Sequence, residues 1–288
     1  MKYRFIEKHR SEFGVGKMCR VLGVNSSGYY GWRNREPSQR KQYNDMLLKK
    51  IRAIHQEYMQ LYGSPRITQE LHRRGYKCSR SRVARIMRKN GIIAKTKRRF
   101  KVTTNSKHTY AVSPNLLDQD FSANTINEVW TSDITYIWTR EGWLYLTVIM
   151  DLFNRQIVSW SMSHRLTAVT TTIPALLHAY RRNKPDPYII FHSDRGVQYA
   201  CKEFRREIEK FKMRQSMSGK GNCYDNAITE SFFHTLKTEC VYFEKYQTRD
   251  QARQSIFQYI EIFYNRKRLH SALGYKTPVE FGKFKNVA

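Results

Sequence analysis

Acidic residues are scarce: 24 Asp and Glu stand against 52 Lys and Arg in 288 residues, a formal net charge of +28. Cysteine is scarce too. The five present (Cys19, Cys78, Cys201, Cys223, Cys240) include no Cys-x-x-Cys pair, which excludes a disulfide framework and a cysteine-rich zinc site and reads as reduced thiols. His55, His72 and Cys78 have no fourth ligand at a usable spacing, so no zinc is expected. Long apolar runs are missing as well: the longest, residues 143–150, is far shorter than the roughly 20 residues of a membrane span. Charge begins at Lys2 with no apolar run behind it, which argues against a secretory signal and for a cytoplasmic location. No internal repeat or low-complexity tract is visible. Core-forming residues are not lacking. Hydrophobic residues make up 40% and aromatics 14%, which excludes a disordered basic tail. The length suits about two domains.

The positive charge is concentrated. Residues 1–110 hold 28 Lys and Arg against 6 Asp and Glu, whereas residues 111–288 hold 24 against 18. A front third this basic binds a polyanion, with nucleic acid the first candidate. The nearly balanced remainder suits a folded catalytic or ligand-binding core.

Two helix-turn-helix-like units fit the basic region, over 1–36 and 45–101. In the first, residues 15–22 look helical, Gly23 breaks the helix, and Asn25, Ser26 and Ser27 supply cap residues before Tyr29, Tyr30 and Trp32. An ordinary helical hairpin would look alike. Residues 37–42 read as a linker. In the second, Met46, Leu47, Ile51 and Ile54 recur at helical spacing, and Tyr62 to Pro65 forms a break. A helix over 67–73 ends at Gly75. Ser79 or Ser81 then caps a helix to about Lys89, closed by Gly91. That last helix places Val83, Ile86 and Met87 on one face and leaves Arg82, Arg85, Arg88 and Lys89 for phosphates or base edges, or for a solvated face. Residues 95–101 (KTKRRFK) read as a basic extended segment able to track a DNA backbone.

Beyond a polar connection the pattern changes from helical to strand-like. Strands are expected over 129–138, 143–150 and 156–162, with a hairpin turn at Glu141-Gly142. A helix over about 167–182, kinked at Pro174, a strand over 188–192 and a helix over 202–211 follow. The order β-β-β-α-β-α implies an α/β mixed sheet flanked by helices.

Three carboxylates fall where chemistry could use them. Asp133 is embedded in the first strand, where a charge is costly unless paired or bound to a cation. Asp194 ends the fourth strand, the usual ligand edge of an α/β sheet. Glu230 lies early in a helix beginning near Asp225, Asn226 and Ala227. Hard divalent cations prefer such oxygen donors. Singly, each has a plainer reading: an Arg partner for Asp133, a turn cap for Asp194, a helix N-terminus for Glu230.

Asp133, Asp194 and Glu230, with thirty-five residues between the last two, resemble the DDE motif of retroviral-type integrases and transposases. Lys237 matches a basic position of that family and shares a helix face with Glu230 and His234. The strings WTSDITYI, FHSDRGVQY, DNAITESFFHTLKTE and YNRKRLHSALGYKTP resemble the second-reading-frame (OrfB) transposases of the bacterial insertion-sequence three family, over nearly the whole chain. The resemblance implies an RNase H-like core over 125–242 with a helical extension over 243–288. It implies two Mg²⁺ or Mn²⁺ ions held by the three carboxylates, and polynucleotidyl transfer on double-stranded DNA at the ends of a mobile element. A homodimer or larger synaptic complex, an upstream-frame (OrfA) partner or fusion, and a bacterial, nucleoid-associated location are implied too. Two rival readings remain: a nuclease of the same fold without joining activity, and a DNA-binding regulator with an inert core.

The neighbours have open roles at this stage. Asp151 reads as a turn residue, a partner of Arg155 or part of the metal surroundings. His192 and Arg195 orient the turn at Asp194 or contact phosphate, and Asn226 caps the helix or contacts DNA. Lys220, between Gly219 and Gly221, is a DNA-contact candidate but not part of a nucleotide-binding loop. The tail offers Ile256, Ile260 and Phe263 for packing and a basic cluster over 264–270.

Overall fold

The computed structural model describes residues 1–95, 112–219 and 223–285. The chain divides into two compact units, Met1–Gln60 with Glu70–Ile93, and Leu61–Gln69 with Ala94–Ala288.

The first unit is helical: α1 (Lys2–His9), α2 (Val15–Val21), α3 (Ser26–Arg33), α4 (Gln39–Glu57), the last turn of α5 (Ser64–Arg73) and α6 (Arg80–Lys89). Ile6, Met18, Cys19 and Tyr29 form a small core among α1, α2 and α3. The Asn25 side chain caps α3 by accepting from the Ser27 N–H. Helix α1 has no sequence signal, because only Ile6 on it is buried. The linker expected over 37–42 is shorter than its composition suggests, since Ser38 caps α4 and the helix begins at Gln39. Leu47, Ile51 and Ile54 of α4 and Val83, Ile86 and Met87 of α6 are buried. Of the two serines offered as a cap for α6, Ser79 is the one that accepts from the Arg82 N–H, at 3.2 Å.

The second unit holds a five-stranded sheet in the order β3-β2-β1-β4-β5. Its strands are β1 (Val129–Thr139), β2 (Gly142–Asp151), β3 (Ile157–Ser163), β4 (Ile190–Ser193) and β5 (Arg214–Met217). The first three run antiparallel, whereas β4 is parallel to β1 and β5 to β4. The β1–β2 hairpin turns tightly because Gly142 takes φ +104°, a backbone that disfavours a side chain. Strand β4 begins later than expected, since Tyr188 sits at φ 70°. Strand β5 has no counterpart among the expected elements. Four residues with an exposed Arg214 carry too little alternation to be read.

Helices α7 (Thr172–Asn183), α8 (Val197–Ala200) and α9 (Lys202–Lys210) are joined by α10 (Ala227–Glu239), α11 (Arg249–Phe257) and α12 (Pro278–Lys285). The helix expected over 167–182 is not kinked at Pro174. A 3₁₀ turn at Ala168–Thr170 precedes α7, and Pro174 falls in the first turn of α7, where its missing N–H has no intrahelical partner to lose. Trp130, Ile149, Leu176, Phe191 and Phe204 lie in the principal core with α7 and α9. Each fully buried side chain of this size is worth roughly 1.5–3 kcal/mol of hydrophobic stabilisation. Thr131, one residue on from Trp130, faces the other way and accepts from the Thr229 hydroxyl of α10 at 2.8 Å.

A π-helical segment, Gln258–Tyr264, continues from α11 and buries Tyr259, Ile260, Phe263 and Tyr264. Behind it the tail cluster expected to be a basic surface turns inward at Arg268. Its guanidinium is buried and donates to Glu239, the last residue of α10, through Nε and Nη2, each at 2.8 Å. Arg66, on the part of α5 within this unit, reaches the same carboxylate at 3.4 Å, and the Tyr259 hydroxyl donates to it at 2.8 Å. Among the described residues no helix is long and apolar enough to cross a membrane.

Candidate active site

The β1–β4 register ends with Ser132 opposite Ser193, so Asp133 and Asp194 are the next residues on neighbouring parallel strands. Asp133 is half-buried and accepts from the Ile134 N–H at 2.7 Å. Asp194 accepts from the Gly196 N–H at 2.9 Å, and this bond closes the turn into α8. A side chain at position 196 would crowd the Asp194 oxygen at 2.9 Å. Glu230 is exposed in the first turn of α10, whose Phe232, Phe233 and Leu236 anchor it to the sheet.

The three carboxylates share one electrostatic neighbourhood. Burial and the charge of Asp194 push Asp133 well above the ordinary carboxylate range, and Glu230 adds to the effect. The Ile134 N–H and Lys237 act in the opposite direction without cancelling it. Glu230 is raised by burial and by Asp194. Lys237, half-buried two turns along α10, is lowered by burial while the Asp133 charge offsets part of that effect. Among the described residues no three His, Cys, Asp or Glu side chains are grouped closely enough to hold a metal ion as they stand. Like charges keep apart, and closing on a cation would require these side chains to turn inward. The donor set itself fits a hard divalent ion: three oxygen ligands whose mutual repulsion a cation would relieve.

Comparison with known proteins agrees with this geometry. Residues 42–100 match an HTH-like domain family, residues 123–223 an integrase core domain family, and residues 230–284 a second integrase core domain family. The chain is 43% identical over 290 residues to "Transposase InsF for insertion sequence IS3A" of Escherichia coli (strain K12), covering all of both chains. It is 45% identical over 264 residues to the "Insertion element IS600 uncharacterized 31 kDa protein" of Shigella sonnei, covering 92% of this chain and 97% of that one. The chain belongs to the IS3 family of DDE transposases. In this transposase Asp133 and Asp194 lie within the first integrase-core match, and Glu230 is the first residue of the second. The mixed sheet is its RNase H-like integrase core, and the HTH-like domain binds DNA.

Around the carboxylates of the transposase stand residues with no motif of their own. Ser132 donates to the Val148 carbonyl and shares a hydrogen bond with the buried Tyr199 hydroxyl, both at 2.8 Å. Burial and the charges of Asp133 and Asp194 raise that hydroxyl well above its ordinary value. The only sequence signal for Tyr199 is that a buried tyrosine must find a polar partner. Asn226 holds the N-cap position of α10 but does not cap with its side chain; its Nδ2 donates to the Ser132 carbonyl at 3.3 Å, which ties α10 to β1. Buried Asp225 accepts from the Gly219 N–H at 2.6 Å and from Asn115 at 3.0 Å, closing the base of the loop ahead of α10.

Of the neighbours left open by sequence, His192 is buried against Ser216 at 2.8 Å, and burial lowers it to about 4, so it is a neutral structural group in the transposase. Arg195 donates from Nε to the Ser218 carbonyl at 2.6 Å, joining the Asp194 turn to the end of β5. Asp151 is taken up by the N–H groups of Asn127 (2.7 Å) and Phe153 (2.8 Å) in its own turn, and burial raises it to about 6. In α6, Arg85, Arg88 and Lys89 are open to solvent to differing degrees, but Arg82 is partly engaged. Its Nε donates to Asn44 at 2.8 Å, and its guanidinium lies 4.8 Å from the centre of the Tyr43 ring. Lys220 and residues 96–101 of the basic segment lie outside the described residues.

Proposed function

We propose that the transposase cuts and joins DNA at the ends of an insertion sequence, with Asp133, Asp194 and Glu230 holding two Mg²⁺ or Mn²⁺ ions. The observation that carries this reading is the mutual elevation of the carboxylates, which the nearby Lys237 charge opposes at Asp133 but does not cancel. Bound ions would supply activation of a water or DNA 3′-hydroxyl nucleophile and stabilisation of the leaving 3′-oxygen. The carboxylates are ligands in this scheme and do not attack the phosphodiester. The Ile134 N–H, the Gly196 N–H and the α10 anchor at Thr131 fix where their oxygens sit. Lys237, sharing the face of Glu230, holds a phosphate of the DNA end, and Arg195 fixes the turn that presents Asp194. Arg85, Arg88 and Lys89 meet the DNA backbone, with Lys220 a further contact. Arg82 contributes from its seat on Tyr43.

The working parts in this reading are helix-turn-helix-like units over 1–36 and 45–101, a core over 125–242 and an extension over 243–288. Two ends must be brought together, so a dimer or larger complex forms on DNA, with an OrfA partner or fusion adding end recognition, in the bacterial cytoplasm at the nucleoid. The test is a Mg²⁺-dependent assay on DNA carrying the element's termini, with a pre-nicked end and a target supplied. Joined product that disappears in Asp133→Asn, with DNA binding retained, is the expected result. Hydrolysis without joining would make the protein a nuclease; binding without either reaction would make it a regulator.

A further inference from the structure

The β1–β2 hairpin ends in an aromatic cluster that the reaction above does not use. Trp138 stands opposite Trp143, and Tyr136 opposite Tyr145, on one face of the hairpin. The ring centroids of Trp138 and Trp143 are 4.9 Å apart at 73°, those of Tyr136 and Tyr145 5.2 Å apart at 78°, and those of Tyr136 and Trp143 6.1 Å apart at 87°. Cross-strand edge-to-face pairs of this kind stabilise a hairpin. That role does not need the rings to face water, yet Trp138 is 59% and Trp143 45% exposed. Edge-to-face packing leaves broad ring faces open. Arg140, exposed at the adjoining turn, adds positive charge beside them.

The cluster and the carboxylates share a strand. Tyr136 and Trp138 lie three and five residues beyond Asp133 on β1, about 10 and 17 Å at about 3.3 Å per residue. The charges of Asp194 and Asp133 are felt at the Tyr136 hydroxyl, so the two sites are electrically in reach of each other. With successive bases about 3.4 Å apart along a strand, the cluster falls about three to five nucleotides from a phosphate at the carboxylates. Exposed indole faces beside a cation and along a DNA path are the chemistry that takes unstacked nucleobases.

We propose that Trp138 and Trp143 form a stacking platform for unpaired bases of the DNA strand next to the reacting phosphate, so that the transposase prefers a frayed end to a closed duplex. This rests on reading Asp133 and Asp194 as the reacting centre. The platform holds bases that have left the helix, and Arg140 meets the phosphate between them. A duplex end that stays paired offers only edges, and gains little from the rings.

The test uses the full chain in the Asp133→Asn background, so binding is read without cleavage. The probes are a blunt duplex and the same duplex with a five-nucleotide unpaired end, each carrying 2-aminopurine three to five nucleotides from the strand end. Expected are quenching of the probe on the unpaired end, its loss in Trp138→Ala and Trp143→Ala, and about tenfold weaker binding of that DNA alone. Trp138→Phe should keep most of the quenching, which separates stacking from hairpin stability. Equal losses on both DNAs, no loss on either, or a variant whose only change is in self-association would overturn the platform. If Asp133 proves dispensable for cleavage but the quenching pattern holds, the active-site reading fails and the platform stands.

Discussion

Helix α10 carries a glutamate at each end, and the two are treated in opposite ways. Glu239 at its C-terminal end is pushed up by burial, but Arg268 and Arg66 outweigh that and hold it below its ordinary value. Glu230 at its N-terminal end is pushed up by burial and by another carboxylate. A buried charge satisfied on every side fixes a fold, whereas a charge set against its like is a standing cost unless a cation relieves it. The same helix therefore has one end that secures it and one end that is unfinished without a ligand.

The largest effect that could break this contrast is on chemistry. Asp133→Asn should lower metal-dependent joining by about a thousandfold or more, yet leave the metal-free thermal midpoint unchanged or higher, because a repelling charge has gone. A lower midpoint in that variant would show Asp133 to be a structural residue. At the other end, Glu239→Ala should lower unfolding free energy by about 3–5 kcal/mol, since Arg268 is left buried and unpaired. Denaturant titration reads this directly, and a loss under about 1 kcal/mol would remove the contrast.

A pH titration sharpens it. His270 accepts from Arg268 at 3.3 Å, and burial with the charges of Arg268, Arg66 and Arg155 lowers it to about 2. Its folded value lies below its unfolded one, so its contribution is complete above about pH 6.5 and is lost as pH falls toward 2. His270→Gln should remove up to about 1.4 kcal/mol per pH unit from the acid limb of the stability curve. Asp151, raised to about 6, acts with the opposite sign between about pH 4 and 6, and Asp151→Asn should steepen the acid loss there. The smallest effect belongs to α6. Arg85→Ala and Arg88→Ala should each reduce the salt slope of DNA binding by about one, measured by fluorescence anisotropy, whereas Arg82→Ala should also loosen its own unit.

Much of the fold is legible in the sequence because it repeats at short range. Alternation reveals β1, β2 and β3, and the cap at Ser79 with the turn at Gly91 bounds α6. The carboxylates can be named from their strings, but not their mutual charge effects, which depend on the register of Ser132 against Ser193. Strand β5 and α1 are too short or too exposed to leave a pattern. The inward turn of Arg268 is unreadable for a different reason. Its partner is Glu239, nearly thirty residues away, and composition alone makes that stretch look like a surface. Asn226 reads as a cap because its position is one; only the neighbouring strand decides where its amide goes.

The π-helical segment at Gln258–Tyr264 has a consequence for how the tail can evolve. A π turn holds one residue more than an α turn, so deleting a single residue there would restore regular winding and swing everything downstream by about 100°. Arg268 would then point away from Glu239, and the anchor of the catalytic glutamate's helix would be undone by a change that touches neither partner. Spacing in that stretch is thus as constrained as identity, and tolerated insertions should be sought elsewhere.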